Sequence, residues 1–129
     1  MIVVDSSVWI AQIRGHGTDA VKLLERIERP SRIVVGDLVL FEVLQGTRDD
    51  AHSASLESRL RRFRVEAMFD EKIAIAAARH NRLLRASGIT VRKPIDLLIA
   101  TFCMERGYAL IHQDRDFDMI ARHLDLRIL

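Results

Sequence analysis

The chain has 129 residues, 49% of them hydrophobic and 29% charged, with 2 prolines and 6 glycines. That balance is too apolar for disorder and predicts one α/β domain spanning residues 1–129. No apolar run reaches the roughly 18–20 residues that cross a bilayer. The first residues carry Asp5 and no basic leader, and the single cysteine, Cys103, excludes a disulfide framework, so a soluble, cytoplasmic protein with no membrane contact is expected. The net charge is only +2, yet Arg59, Arg61, Arg62 and Arg64 crowd one stretch, and Asp114, Asp116 and Asp118 another.

In chain order, β-branched Ile2–Val4 reads as a buried strand that stops at the helix-capping run Asp5-Ser6-Ser7. A short helix is expected over Val8–Ile13 and a second over Ala20–Ile27, ended by Pro30. Ile33–Val35 reads as a strand closed by Gly36, and Asp37 caps a helix that runs to Gln45 and ends at Gly46. Residues 51–62 are helical, Val65 begins a short strand, and Asp70 opens a helix reaching Arg85. Pro94 fits the first turn of a helix burying Ile95, Leu98, Ile99, Phe102 and Cys103, with Gly107 as its stop. Tyr108–His112 is a strand, Asp116–His123 a helix, and Leu126–Leu129 a closing strand. Uniformly apolar strands alternating with helices predict a mostly parallel central sheet in a three-layer arrangement, covered by helices on both faces.

Ligands gather beyond the carboxyl ends of strands in such sheets, and Asp5, Asp114 and Asp116 follow two of them. Each alone reads equally as a helix cap. Glu42 lies on a helix apolar in nearly every direction, where a carboxylate needs a positive or hydrogen-bonding receiver; a buried pair with an arginine, or a position at the exposed helix edge, is the competing reading. Asp96, two residues after Pro94, gains from the positive end of its helix and borders the buried stripe. Converging acids repel by about 4 kcal/mol per pair at 4 Å in an effective dielectric near 20, so they persist only with cations, protonation or interleaved bases. Oxygen-only ligands favour Mg²⁺ or Mn²⁺ over structural zinc. His80, His112 and Cys103 lack zinc-like spacing and read as helix, strand and core residues.

Four segments, Val4-Asp5-Ser6-Ser7-Val8-Trp9-Ile10, Glu42-Val43-Leu44-Gln45-Gly46, Pro94-Ile95-Asp96-Leu97-Leu98-Ile99-Ala100 and His112-Gln113-Asp114-Arg115-Asp116-Phe117, together resemble the acidic motifs of PIN-domain ribonucleases. The length is similar to that of VapC-type toxins of toxin–antitoxin pairs. The resemblance implies a PIN-like fold and an Mg²⁺-dependent endoribonuclease that leaves a 5′-phosphate. It makes Asp5, Glu42, Asp96 and Asp114 the catalytic and metal-holding quartet, with Asp116 and Ser6 in support. Asp118 has no counterpart and reads as a surface or capping residue. It also implies a cognate antitoxin, laid along the helices between Val8 and Leu60, and a homodimer through the helices near Ile73 and Leu83.

An acidic pocket repels phosphate, so RNA would arrive through basic groups: Arg14, Arg92, Lys93 and Arg115 are the candidates. The Arg59–Arg64 cluster fits RNA, an acidic antitoxin segment or a solvated face equally. No His is placed to activate Ser6 or Ser7, and no Walker-type loop is present. Two other classes remain open: a receiver-like Mg²⁺-binding signalling domain, with Asp37 as phosphoacceptor and Lys93 as its lysine, and a non-catalytic RNA-binding module.

Overall fold

The computed structural model describes residues 1–129. In chain order the elements are β1 (Ile2–Val4), α1 (Ser6–Ile13), α2 (Asp19–Glu25), a 3-10 turn (Pro30–Arg32), β2 (Ile33–Gly36), α3 (Asp37–Gln45), α4 (Asp50–Leu60), β3 (Arg64–Glu66), α5 (Glu71–Ala86), α6 (Pro94–Arg106), β4 (Ala109–Ile111) and α7 (Arg115–His123). All four strands are parallel, in the order β3-β2-β1-β4. Ile2 stands opposite both Ile33 and Ala109, and Val4 opposite Ile111. Central β1 and β2 are buried along their whole length, as uniformly β-branched strands covered on both faces must be. β3, at the edge, instead exposes Arg64 and Val65, and a charged, short edge discourages pairing with another chain.

The chain steps outward from β1 to β2 to β3, then crosses back to place β4 on the far side of β1. α1 packs on α2 and α3, and α3 on α4; α5 packs on α6, and α6 on α7. This reversal opens a crevice where the carboxyl ends of β1 and β4 lie side by side. Asp5 leaves one strand and the loop to Asp114 leaves the other, which puts distant residues at one place. Beneath the crevice, Val3, Val4, Ile99, Leu110, Phe117 and Ile120 are sealed in the core. Cys103 is buried there too, and desolvation pushes its thiol up to about 12, so it is a packing residue. His80 meets the Thr101 hydroxyl at 3.0 Å.

Local chemistry sets the helix ends. The side chains of Asp49 and Asp70 accept the His52 and Ile73 N–H groups at 2.7 and 2.8 Å, Pro94 occupies the first turn of α6, and Gly107 closes it with a left-handed φ of 68°. Gly36 is required by contact: a Cβ there would lie 2.0 Å from the Met68 sulfur. Asp37 does not cap its helix as expected. Its carboxylate accepts the Met68 N–H at 2.9 Å and ties the exit of β3 to the start of α3.

Three expectations shift. α1 starts at Ser6 because Asp5 itself is the cap. Tyr108 lies outside β4, its hydroxyl bonded to Glu66 at 3.2 Å. The closing strand Leu126–Leu129 does not form: only Ile128 bridges Leu110, through the Leu110 N–H to Arg127 and the Leu129 N–H to Leu110, both 2.9 Å. Glu66, unremarked in the sequence, is a buried carboxylate held by Arg64 at 3.1 Å, Arg106 at 3.3 Å and Tyr108. With both oxygens engaged it joins β3 to the end of α6.

Candidate metal centre

The acids at the crevice are placed by helix starts. Asp5 caps α1: one oxygen, Oδ2, accepts the Ser7 N–H at 3.1 Å and the Ser7 hydroxyl. Its other oxygen, Oδ1, is buried and has no donor. Asp96 enters from the first turn of α6, where Pro94 fixes the backbone, and its Oδ2 is likewise buried and unmatched. Asp114 caps α7, its Oδ1 accepting the Asp116 N–H at 2.9 Å. Buried carboxylate oxygens without donors are costly, and two of them face one crevice.

Asp96, Asp114 and Asp116 each offer an oxygen within 4.8 Å of the others. At that separation each charged pair repels by about 3–4 kcal/mol in an effective dielectric near 20. Asp96 carries the consequence: burial, then the charges of Asp5 and Asp114, raise its pKa to about 7. Glu42 is also raised, by burial and by Asp5, against the hydrogen bond that Ser6 Oγ donates to its Oε1 at 3.1 Å. No arginine receives Glu42, so the buried Arg–Glu pair that competed in the sequence is not what holds it. The charge of Lys93 lowers the pKa of both Glu42 and Asp96, against the larger effects of burial and of Asp5.

Two bases touch the acids. Lys93 Nζ is 3.8 Å from Asp114, and the Arg92 guanidinium reaches Asp116 with contacts of 3.3 and 3.4 Å. Both bases are largely exposed and both acids largely buried, so neither pair cancels the cluster. Arg115 stands exposed on α7 without an ion pair. Arg14 is not brought here: it ends α1, about 13 Å along the helix from Asp5 at 1.5 Å per residue, beside Val43, Thr47 and His52.

Two residues near the site carry more than the sequence suggested. His112 Nδ1 accepts the Asp114 N–H at 3.1 Å, which leaves the ring proton on Nε2, 3.2 Å from Asp118. His112 therefore fastens the loop bearing Asp114 to the first turn of α7, and Asp118 is its anchor. Asp116, expected in support of the quartet, stands with Asp96 and Asp114 in one acidic group. The His112 link had no signal in the linear pattern, because it depends on how the loop after β4 turns. The receiver-like alternative loses its phosphoacceptor, since the Asp37 carboxylate is bonded to Met68 and lies outside the cluster.

The residues fit a hard divalent cation. The donor set is all oxygen, three carboxylates are within reach of one ion, and Asp5 and Asp96 present unmatched oxygens. The PIN-domain profile matches residues 2–123. The chain is a PIN domain of the VapC type. Ribonuclease VapC11 of Mycobacterium tuberculosis is 34% identical over 132 residues, covering 98% of this chain and 96% of that protein, and a VapC ribonuclease of Mycobacterium bovis matches equally. Among solved structures, VapBC2 of Rickettsia felis, bound to a promoter DNA fragment, superposes with a TM-score of 0.79 at 20% identity, covering 100% of this chain and 98% of that one. VapC20 of Mycobacterium tuberculosis, described as a sarcin-ricin loop cleaving toxin, gives 0.69 at 23% identity over 98% and 99%. These likenesses confirm the three-layer PIN fold. No helix of this PIN domain is long and apolar enough to cross a membrane.

Proposed function

We propose that this PIN domain is a metal-dependent endoribonuclease, the toxin of a toxin–antitoxin pair, using Mg²⁺ or Mn²⁺ held by Asp5, Glu42, Asp96 and Asp114 with Asp116 in support. The observation that carries the reading is the pair of buried, donor-less oxygens on Asp5 and Asp96, set beside carboxylates too close to coexist as bare anions. A bound divalent cation supplies Lewis acidity toward a phosphodiester and lowers the pKa of coordinated water. The chain supplies the rest. Ser7 fixes the Asp5 carboxylate, Ser6 orients Glu42, and the His112–Asp118 link fixes Asp114. Lys93 and Arg92 moderate the acidic field at the edge where phosphate must enter. No side chain is arranged as a nucleophile, in keeping with hydrolysis by water that leaves a 5′-phosphate.

The relatives named as ribonucleases and the VapBC assemblies support this reading and an antitoxin partner. The antitoxin docks along α1–α4, where Phe41 is exposed, and a homodimer forms through α5, where Phe69, Ile75 and Leu83 are exposed beside it. Cleavage of cellular RNA with Mg²⁺ or Mn²⁺, abolished by chelation and in Asp5→Ala and Asp96→Asn, is the expected result. Full cleavage in both variants would refute the site.

A further inference from the structure

Beside the acids lies a second concave feature that the carboxylate chemistry does not use. It is an open cleft of about 530 Å³ between the 90–92 segment and α7, its wall carrying the cations of Arg92, Arg115 and Arg122, the acids Asp116 and Asp118, and Met119. Arg115, Met119 and Arg122 recur at helical spacing and so share one face of α7. Arg92 is engaged by Asp116, and Asp118 by His112. Arg115 and Arg122 are left without an acidic partner, both exposed and both facing the cleft. The two cations are about 10 Å apart along the helix, a span of about three stacked nucleotides at 3.4 Å per step. Asp116 is at once a wall of this cleft and a member of the acidic group, so the two features are continuous.

We infer that this cleft is the backbone-binding subsite for a single-stranded RNA segment next to the scissile bond, with Arg115 and Arg122 as positioning residues that hold its phosphates. The inference rests on the ribonuclease reading and adds the path by which substrate leaves the acids. Guanidinium forks suit phosphate oxygens bidentately. Met119 is the one apolar lining residue and no aromatic ring is present, so the cleft grips sugar and phosphate and does not stack bases. Sequence preference must then be set elsewhere on the surface. Arg122, which the linear motifs passed over, is as important here as Arg115.

The test compares wild type, Arg115→Ala/Arg122→Ala and Arg115→Lys/Arg122→Lys on a short single-stranded fluorophore–quencher RNA with Mn²⁺. Both positions are exposed, and unchanged melting temperatures establish that the variants are folded. The alanine pair should raise KM about tenfold or more while kcat stays within about twofold. The slope of log(kcat/KM) against log salt should become shallower by about 1.4, two phosphate contacts at 0.7 each. The lysine pair should restore the slope and part of KM. Unchanged KM and slope in the alanine pair overturn the inference while leaving the ribonuclease intact. So does unchanged RNA cleavage that has lost inhibition by the antitoxin, which would assign the cleft to the protein partner. Absence of cleavage by wild type defeats the ribonuclease reading instead. Anisotropy of the same RNA, single-stranded against duplex, on Asp96→Asn protein then decides the cleft alone: salt-dependent single-strand binding lost with the alanine pair supports it, and binding unaffected by that pair overturns it.

Discussion

Asp96 concentrates the electrostatics of the site. It is 3% exposed, one oxygen has no donor, and its pKa stands near 7 against an ordinary 3.8. Between those values the metal-free folded protein keeps a proton that the unfolded chain releases. Stability from this group is therefore complete below pH 3.8 and is lost as pH rises through 7, by up to about 1.4 kcal/mol per pH unit. Urea unfolding of metal-free protein from pH 5 to 8 should show wild type losing stability relative to Asp96→Asn; an equal pH dependence in the two would contradict the coupling. At pH 8 the same variant should be as stable as wild type or more so, yet lack cleavage. Metal binding should release protons and tighten as pH rises through 7, because the ligand must be ionised. Glu42→Gln should likewise be neutral or stabilising without metal, given that burial and Asp5 raise its pKa. A loss of several kcal/mol would signify an ion-pair partner.

At the scale of elements, the junctions are where small changes should be felt. Gly36→Ala drives a methyl onto Met68 and should cost about 2 kcal/mol. In a Met68→Ala background most of that added cost should vanish, and an equal cost in both backgrounds would place its cause elsewhere. Tyr108→Phe removes a donor from buried Glu66 and should cost about 1 kcal/mol in chemical denaturation while leaving metal binding unchanged. The helices were legible in sequence because their signals are local: Asp5 and Asp70 at helix starts, Pro94 as a first turn, Gly107 as a stop; the Asp49 cap of α4 emerged only with the structure. The tail at Leu126–Leu129 was not, since an apolar pattern cannot reveal that only one residue reaches the edge of β4. Asp37 misled for a similar reason: the N–H it accepts belongs to Met68, 31 positions away.

For the molecule as a whole, strand order converts four separate segments into one site. Acids after strands were readable one by one, and the motif set named their company. How close Asp116 comes to Asp96 and Asp114 depends on the turn after β4, and the role of His112 depends on it too. Buried Glu66 shows the converse, an acid whose neighbours neutralise it. Relief of the crossed repulsions should couple metal to global stability. At a hundredfold excess over Kd, Mg²⁺ should add about 2.7 kcal/mol, a rise in melting temperature of about 10 °C. No shift at saturating metal would deny the coupling. The most direct measurement is an anomalous difference map from crystals soaked in Mn²⁺. A peak coordinated by Asp96 and Asp114, with Asp5 or Asp116 completing the oxygen shell, is the predicted result. An ordered Mn²⁺ elsewhere, with these carboxylates left protonated or paired to arginines, would contradict it.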